Sequence, residues 1–230
     1  MNQHIIPGNP PLQIHLRRSA RARRMSLRVS KLDGKVTLTV PSVVAESEAL
    51  DFAKEKEAWL RAHCETQPVR VSVGLGSAIP LRGQITRVVA GQGRRISVAS
   101  DQIAVPGNPD TVGRRLAGYL KERAREELAV ASDRYSDVLG RSYSKLSIRD
   151  TRSRWGSCTA DAGLMYSWRL ILAPPEVLDY VAAHEVAHLQ EMNHSPDFWG
   201  LVEELYGPYR AQRRWLHENG ADLHRYRFGD

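Results

Sequence analysis

The first half of the chain alternates hydrophobic and polar positions in short runs, which is the period of half-buried β-strands. The pattern predicts strands near residues 12–16, 25–29 and 36–40. Asp33-Gly34, between the last two, is a tight-turn signal. Helical spacing replaces the alternation over 46–64, and short strand-like pieces separated by glycines then continue to residue 108. We therefore expect residues 1–108 to form a β-rich region with one helix.

The second half of the chain is mainly helical. The spacing predicts helices over about 110–139, 175–191 and 209–218, and strands over 145–149 and 164–172. Ser195-Pro196-Asp197 is a strong helix start, because it combines a capping hydroxyl, a proline for the first turn and an acidic residue. The fold class is therefore α+β, with a helical core and a small sheet over residues 109–230.

Composition indicates a globular chain. Its 230 residues are 42% hydrophobic and 26% charged, enough to bury a substantial core. No apolar run approaches the length of a membrane span, and the N-terminal residues lack the pattern of a signal peptide. Cys64 and Cys158 are too few for a disulfide framework. We expect a cytoplasmic protein with no membrane partner.

The net charge of +7 is concentrated at the N-terminus. Residues 1–35 contain eight Arg and Lys residues against Asp33, so this segment alone carries +7 and the rest of the chain is balanced. The segment is either a solvated face of the sheet or a surface that binds a nucleotide or nucleic acid.

The motif His184-Glu185-Val186-Ala187-His188 carries the clearest chemical signal. On a helix, residues four apart share a face, so both imidazoles can reach one ion while Glu185 lies beside them. His194 can join them only if the helix stops before it. Such a stop is expected, because Asn193 tolerates a left-handed cap and Ser195-Pro196 starts a new helix.

The third ligand has competitors. A carboxylate from the following helix, Glu203 or Glu204, is one alternative to His194, and the lone thiolate of Cys158 is a weaker one. Three nitrogen ligands would leave one position open, as in catalytic zinc sites. We therefore predict one Zn²⁺ per chain, with Glu185 as the base that accepts a proton from water.

Five segments together resemble a known family. They are 154–158 (RWGSC), 166–170 (YSWRL), 180–181 (YV), 184–199 (HEVAHLQEMNHSPDFW) and 214–216 (RWL). The chain is similar over about residues 12–218 to the YgjP-like metal-dependent hydrolases. These are a branch of the zincin metallopeptidases, related more distantly to the SprT and Wss-type DNA–protein-crosslink proteases.

The resemblance implies both a fold and a set of roles. It implies a β-rich N-terminal half that leads into a minimal zincin-like core containing the HExxH helix. His184, His188 and His194 would be the zinc ligands and Glu185 the catalytic base. It assigns no role to Trp155, which is either part of a structural turn or a wall of the substrate cleft.

Four functions follow from these features. The first is a peptidase in which an edge strand over 164–172 pairs with a peptide or protein, and Tyr209 or Arg213 stabilises an oxyanion. The second is a zinc-dependent nucleoside triphosphate pyrophosphatase that uses Arg149, Arg152 and Arg154 to hold phosphates. The third is a DNA-associated metalloprotease that uses the basic N-terminus. The fourth is a non-enzymatic protein stabilised by zinc.

Overall fold

A computed structural model describes residues 2–30, 34–65 and 69–229. The chain is mixed α/β, which confirms the α+β prediction at that level, and it forms two compact units, 1–69 and 70–230. No helix in the described ranges is both long enough and apolar enough to cross a membrane.

The first unit is a four-stranded sheet covered by two helices. Its elements are β1 (Asn2–Ile6), β2 (Leu12–Ser19), β3 (Ser26–Val29), β4 (Val36–Pro41), α1 (Glu46–Glu55) and α2 (Glu57–Glu65). The strand order is β1-β2-β4-β3, with β2 parallel to β4 and the other pairs antiparallel. One face of the sheet is buried and shares a core with Ala49, Ala53 and Leu60 of the two helices.

Two sequence expectations need comment in this unit. The helix predicted over 46–64 is two helices, interrupted at Lys56, whose ψ of 11° leaves the helical range. No proline or glycine marks that break. Lys31 and the turn residue Asp33 lie outside the described residues, but β3 and β4 are antiparallel neighbours, as a hairpin requires.

The second unit contains three small sheets and the longer helices. Its early strands are β5 (Val71–Ser72), β6 (Ala78–Leu81), β7 (Gln84–Ala90), β8 (Ser97–Ala99) and β9 (Gln102–Val105). Its later elements are α3 (Val112–Leu139), β10 (Lys145–Arg149), β11 (Gly156–Cys158), β12 (Gly163–Ser167), α4 (Pro175–Ala187), α5 (Pro196–Tyr206), α6 (Arg210–Asn219) and β13 (Tyr226–Arg227).

The boundary between units differs from the sequence division at residues 108 and 109. Residues 70–108 belong to the second unit, because the sheet β6-β7-β9-β8 shares a core with α3. Val88 and Ile103 of that sheet are fully buried together with Leu116 and Leu120 of the helix. The strand-like composition of residues 70–108 does not reveal that they pack on α3.

The sheet β10-β12-β11 is the one nearest the predicted chemistry, and it corrects the predicted edge strand. The segment 164–172 is not one strand, because β12 ends at Ser167 and a 3-10 helix, Trp168–Leu172, follows. β12 is also the central strand, parallel to β10 and antiparallel to β11. The edge that contacts α4 is therefore β11.

Candidate metal centre

Two of the three histidines are placed by the end of α4. This helix begins with Pro175 in its first turn and ends at Ala187, with His188 as its C-cap residue. His184 lies one turn earlier, so the two imidazoles share one face of the helix. Their ring centroids are 5.1 Å apart. The helix therefore presents both side chains to one point.

The third histidine is returned to that point by a tight reversal of the chain. The N–H of Glu191 bonds to the carbonyl of Ala187 at 3.0 Å, which closes the end of α4. Asn193 does not take the predicted left-handed conformation: the described non-glycine residues with positive φ are Arg82, Ser100 and Ala162. Instead, its Oδ1 accepts a hydrogen bond from the N–H of Ser195 at 2.8 Å. A side-chain turn therefore replaces the expected backbone cap.

The start of α5 matches the sequence prediction. Ser195 is the N-cap residue, Pro196 occupies the first turn, and the Ser195 hydroxyl accepts a hydrogen bond from the N–H of Phe198 at 3.3 Å. Phe198 is fully buried and stacks on the His188 ring at 4.4 Å between centroids. The cap therefore fixes a side chain that packs directly against a candidate ligand.

The three histidines converge in a way that fits one metal ion. Ligand nitrogens of His184, His188 and His194 all lie within 4.8 Å of one another. Nε2 of His184 and Nε2 of His194 are 3.2 Å apart. Two nitrogens bound to a tetrahedral zinc ion at 2.0–2.1 Å would be separated by about 3.3 Å. The donor set and its spacing therefore fit a zinc ion.

The alternative ligands are placed elsewhere. Among the described residues, the group of metal-donor side chains at this point contains His194 and neither glutamate of α5. Glu203 and Glu204 are both exposed on that helix. The Cys158 thiol bonds to the carbonyl of Thr159 at 3.5 Å.

Burial favours the neutral form of two of the imidazoles, those of His184 and His188. Burial lowers the pKa of His184 to about 3, and the nearby His188 and His194 rings act in the same direction. Burial also lowers the pKa of His188, although a contact of its Nδ1 with the carbonyl of Glu191 at 2.8 Å opposes the shift. If this Nδ1 carries the proton, Nε2 of His188 is left as a lone-pair donor, the form that binds metals.

Aromatic side chains wall the site. Trp199 stacks on His194 at 5.7 Å and on Tyr209 at 5.1 Å, and Tyr209 also stacks on Tyr180 at 5.9 Å. The Arg213 guanidinium lies 4.5 Å above the Trp199 ring. Tyr209 is itself buried in this stack, one ring away from the histidines. These rings line the α5 and α6 side of the site, where His194 remains exposed.

Glu185 faces the edge strand β11. Its side chain is 5% exposed, and it packs so closely on Gly156 that a Cβ built there would lie 2.5 Å from Cγ and Oε1 of Glu185. The backbone N–H of Cys158 donates a hydrogen bond to the carboxylate. Burial raises the pKa of Glu185 to about 8, against the opposing effects of Arg154 and that hydrogen bond.

The remaining predicted residues separate into two groups. Arg154 is exposed but close enough to Glu185 for its charge to act on the carboxyl pKa. Trp155 and Arg152 instead adjoin His224: the Trp155 ring is 5.3 Å from the His224 ring, and the charge of Arg152 acts on the His224 pKa. Trp155 therefore packs on the C-terminal segment.

An ion pair near this segment, formed by a buried arginine and an exposed aspartate, was missed by sequence reasoning. Arg169 is 2% exposed, and its guanidinium donates to both carboxylate oxygens of Asp150, at 2.7 and 3.1 Å. It also donates to the carbonyls of Leu223 and Tyr226, each at 3.0 Å. No local pattern joins residues so far apart in sequence, so only the fold reveals this network.

A cavity of about 530 Å³ lies between α3 and the start of α4, lined by residues other than the histidines. Its arginines pair with carboxylates of its own wall: Arg82 with Glu127, Arg123 with Glu126, and Arg134 with Asp179. Because its charges are compensated internally, we assign it no ligand.

Comparison with known proteins agrees with the geometry. Residues 23–219 match the family model of the YgjP-like metallopeptidase domain. No curated protein matches the chain. A similar solved structure is the crystal structure of the metallopeptidase zymogen of Pyrococcus abyssi abylysin, at 21% identity and a TM-score of 0.35. The match covers 40% of this chain and 93% of that chain, and its TM-score is too low to define the fold. On the family match, the chain belongs to the YgjP-like metallopeptidases and is a metal-dependent hydrolase.

Proposed function

We propose that the protein is a zinc-dependent peptidase in which His184, His188 and His194 hold one ion and Glu185 is the general base. The observation that carries this proposal is the 3.2 Å approach of two imidazole nitrogens at the end of a helix that also carries the buried Glu185. Three nitrogen ligands leave one coordination position open, as in catalytic zinc sites, whereas structural zinc sites are filled by four protein ligands.

Each residue has a distinct task in this proposal. Zinc, when bound, supplies Lewis acidity and makes water a nucleophile near neutral pH. Glu185 accepts a proton at a carboxylate oxygen and returns it to the leaving amine. The Cys158 N–H and the bare backbone of Gly156 hold that carboxylate in one position. The wall of Phe198 and Trp199 keeps the imidazoles oriented.

The edge strand β11 supports a peptide as the substrate. The backbone groups of Trp155 and Thr159 point toward β12. The Ser167 N–H donates a hydrogen bond to the Trp155 carbonyl, and the Thr159 N–H donates one to the Gly163 carbonyl. Because backbone groups alternate along a strand, those of Gly156 point away from β12. An extended peptide added there would lie beside Glu185.

Hydrolysis of a phosphoanhydride has weaker support. It requires the arginines at 149, 152 and 154 to converge on the metal ligands. However, the charge of Arg154 lowers the pKa of Glu185, whereas the charge of Arg152 lowers the pKa of His224, which lies in the C-terminal segment. A single guanidinium near Glu185 can also donate a hydrogen bond to a peptide carbonyl oxygen.

The test compares the two substrate classes on the zinc-loaded protein. We expect release of new amino groups from an unfolded protein such as casein, and no pyrophosphate release from nucleoside triphosphates. Glu185→Gln is the blank and should lower peptide hydrolysis by about 100-fold or more while zinc is retained. The result that would contradict the peptidase proposal is pyrophosphate release by the wild-type protein, its loss in Glu185→Gln, and no peptide cleavage. The protein would then be a pyrophosphatase.

A further inference from the structure

Five exposed arginines gather on one part of the first unit. They are Arg17, Arg21, Arg23, Arg24 and Arg28. Arg17 ends the exposed face of β2, Arg28 lies on β3, and the other three lie in the connection between these strands. Because β2 and β3 flank β4, that connection passes the end of β4. The three arginines of the connection therefore lie at one end of the sheet, and Arg17 and Arg28 lie on its adjoining exposed face.

The register places polar groups between these charges. Arg17 is opposite Thr39, and Arg28 is opposite Thr37, both on the face of β4 that points away from the helices. His15 shares a row with Thr37 on the same face. Neighbouring strands are about 4.8 Å apart, so the two arginines lie roughly 12 Å from each other across this face.

The five arginines differ from the other arginines of the unit in having no partner among the described residues. Arg61 binds Glu57 and two carbonyls, and Arg18 donates to the carbonyls of Ser42 and Val44. The acidic residues described in this unit lie on α1 and α2. Clustered like charges without counterions repel one another, and a polyanion would relieve that repulsion.

We propose that this arginine face, defined by the five residues named above, binds the phosphate backbone of double-stranded nucleic acid. Guanidinium groups suit phosphate oxygens, and hydroxyls and imidazoles commonly supply the remaining backbone contacts. This function goes beyond peptide hydrolysis and does not depend on it.

The face favours a duplex over a single strand. Single-stranded sites stack bases on aromatic rings, and residues 1–51 contain no Phe, Tyr or Trp. A membrane surface fits less well, because the two strongly exposed apolar residues of this region, Ile5 and Val43, are isolated from each other in sequence and do not form an amphipathic helix.

The test is the salt dependence of binding by the full chain to a fluorescent DNA duplex of about 20 base pairs, followed by anisotropy. Five phosphate contacts predict a slope of about −4.5 in log K against log salt. Arg23→Gln with Arg24→Gln should reduce that slope by about 1.8 and weaken binding roughly 50-fold at 0.1 M salt.

The matched control is Lys54→Gln with Lys56→Gln, which removes the same charge from the helical side of the unit. We expect this control variant to bind the duplex with the affinity of the wild-type protein. Circular dichroism should show that both double variants are folded. Equal losses in the two variants would overturn the proposal, as would a slope near zero. So would tighter binding to the single strand, or binding to phosphatidylserine vesicles without binding to the duplex.

Discussion

Gly156 and Glu185 illustrate how one missing side chain can set the position of a carboxylate that we propose as the general base. The strand approaches the carboxylate so closely that a methyl group on Gly156 would occupy the space of Glu185 Oε1. The sequence shows Gly156 as one of 17 glycines and gives no sign of this contact. This close contact explains why a glycine stands at the centre of the RWGSC segment.

We predict that Gly156→Ala lowers peptide hydrolysis by about 100-fold without loss of metal, because the carboxylate must move by about 1 Å. The measurement is kcat with zinc content determined in parallel. Gly118→Ala is the control, since a Cβ at that helical position meets nothing within 4 Å. Wild-type activity in Gly156→Ala would mean that the exact position of Glu185 is unimportant.

At the scale of elements, the junction between α4 and α5 determines where His194 lies. The helix must end, reverse and restart within eight residues, and each step has a local cause in capping or turn chemistry. The Ser195 cap also holds Phe198, which stacks on His188. The junction therefore links helix capping to the geometry of the candidate ligands.

We predict that Ser195→Ala destabilises the metal-free protein by about 1 kcal/mol, because the N–H of Phe198 loses its acceptor. Urea denaturation measures this change in the free energy of unfolding. Ser195→Asp should preserve stability, since aspartate caps as well as serine. If both variants lost the same stability, the cap would not be the cause.

The sequence predicts these elements well where the cause is local. The HExxH spacing, the Ser195-Pro196 start and the strands β2, β3 and β4 are all set by neighbours within a few residues, whereas β1 (Asn2–Ile6) is not among the expected strands. Local neighbours do not determine the break at Lys56, the central position of β12 or the pairing of Arg169 with Asp150. Each depends on residues that meet only after the chain has folded.

At the scale of the whole molecule, the C-terminal segment is attached through a polar network around the buried side chains of Arg169 and His224. Burial lowers the pKa of His224 to about 4, and the Arg169 charge acts in the same direction. Asp150 is also shifted: burial would raise its pKa, but its bonds to Arg169 outweigh this and lower it. Both shifts mean that the unfolded chain binds protons more readily than the folded one.

We predict that stability falls as pH decreases from about 6.5 to 4, the range between the unfolded and folded pKa of His224. His224 accounts for up to about 3 kcal/mol of that loss. His224→Gln removes the titration, so its stability should decline less steeply over this range. Parallel curves for the two metal-free proteins, from chemical denaturation at several pH values, would contradict the assignment.

The metal content of the purified protein, measured beside variants, tests the proposed site most directly. After reconstitution with zinc, we expect about one zinc ion per chain, near-complete loss in His188→Ala, and full retention in Glu185→Gln. His217→Ala serves as the control, because His217 is exposed on α6. An unchanged zinc content in His188→Ala, or none in the unchanged protein, would show that these histidines do not form the metal site.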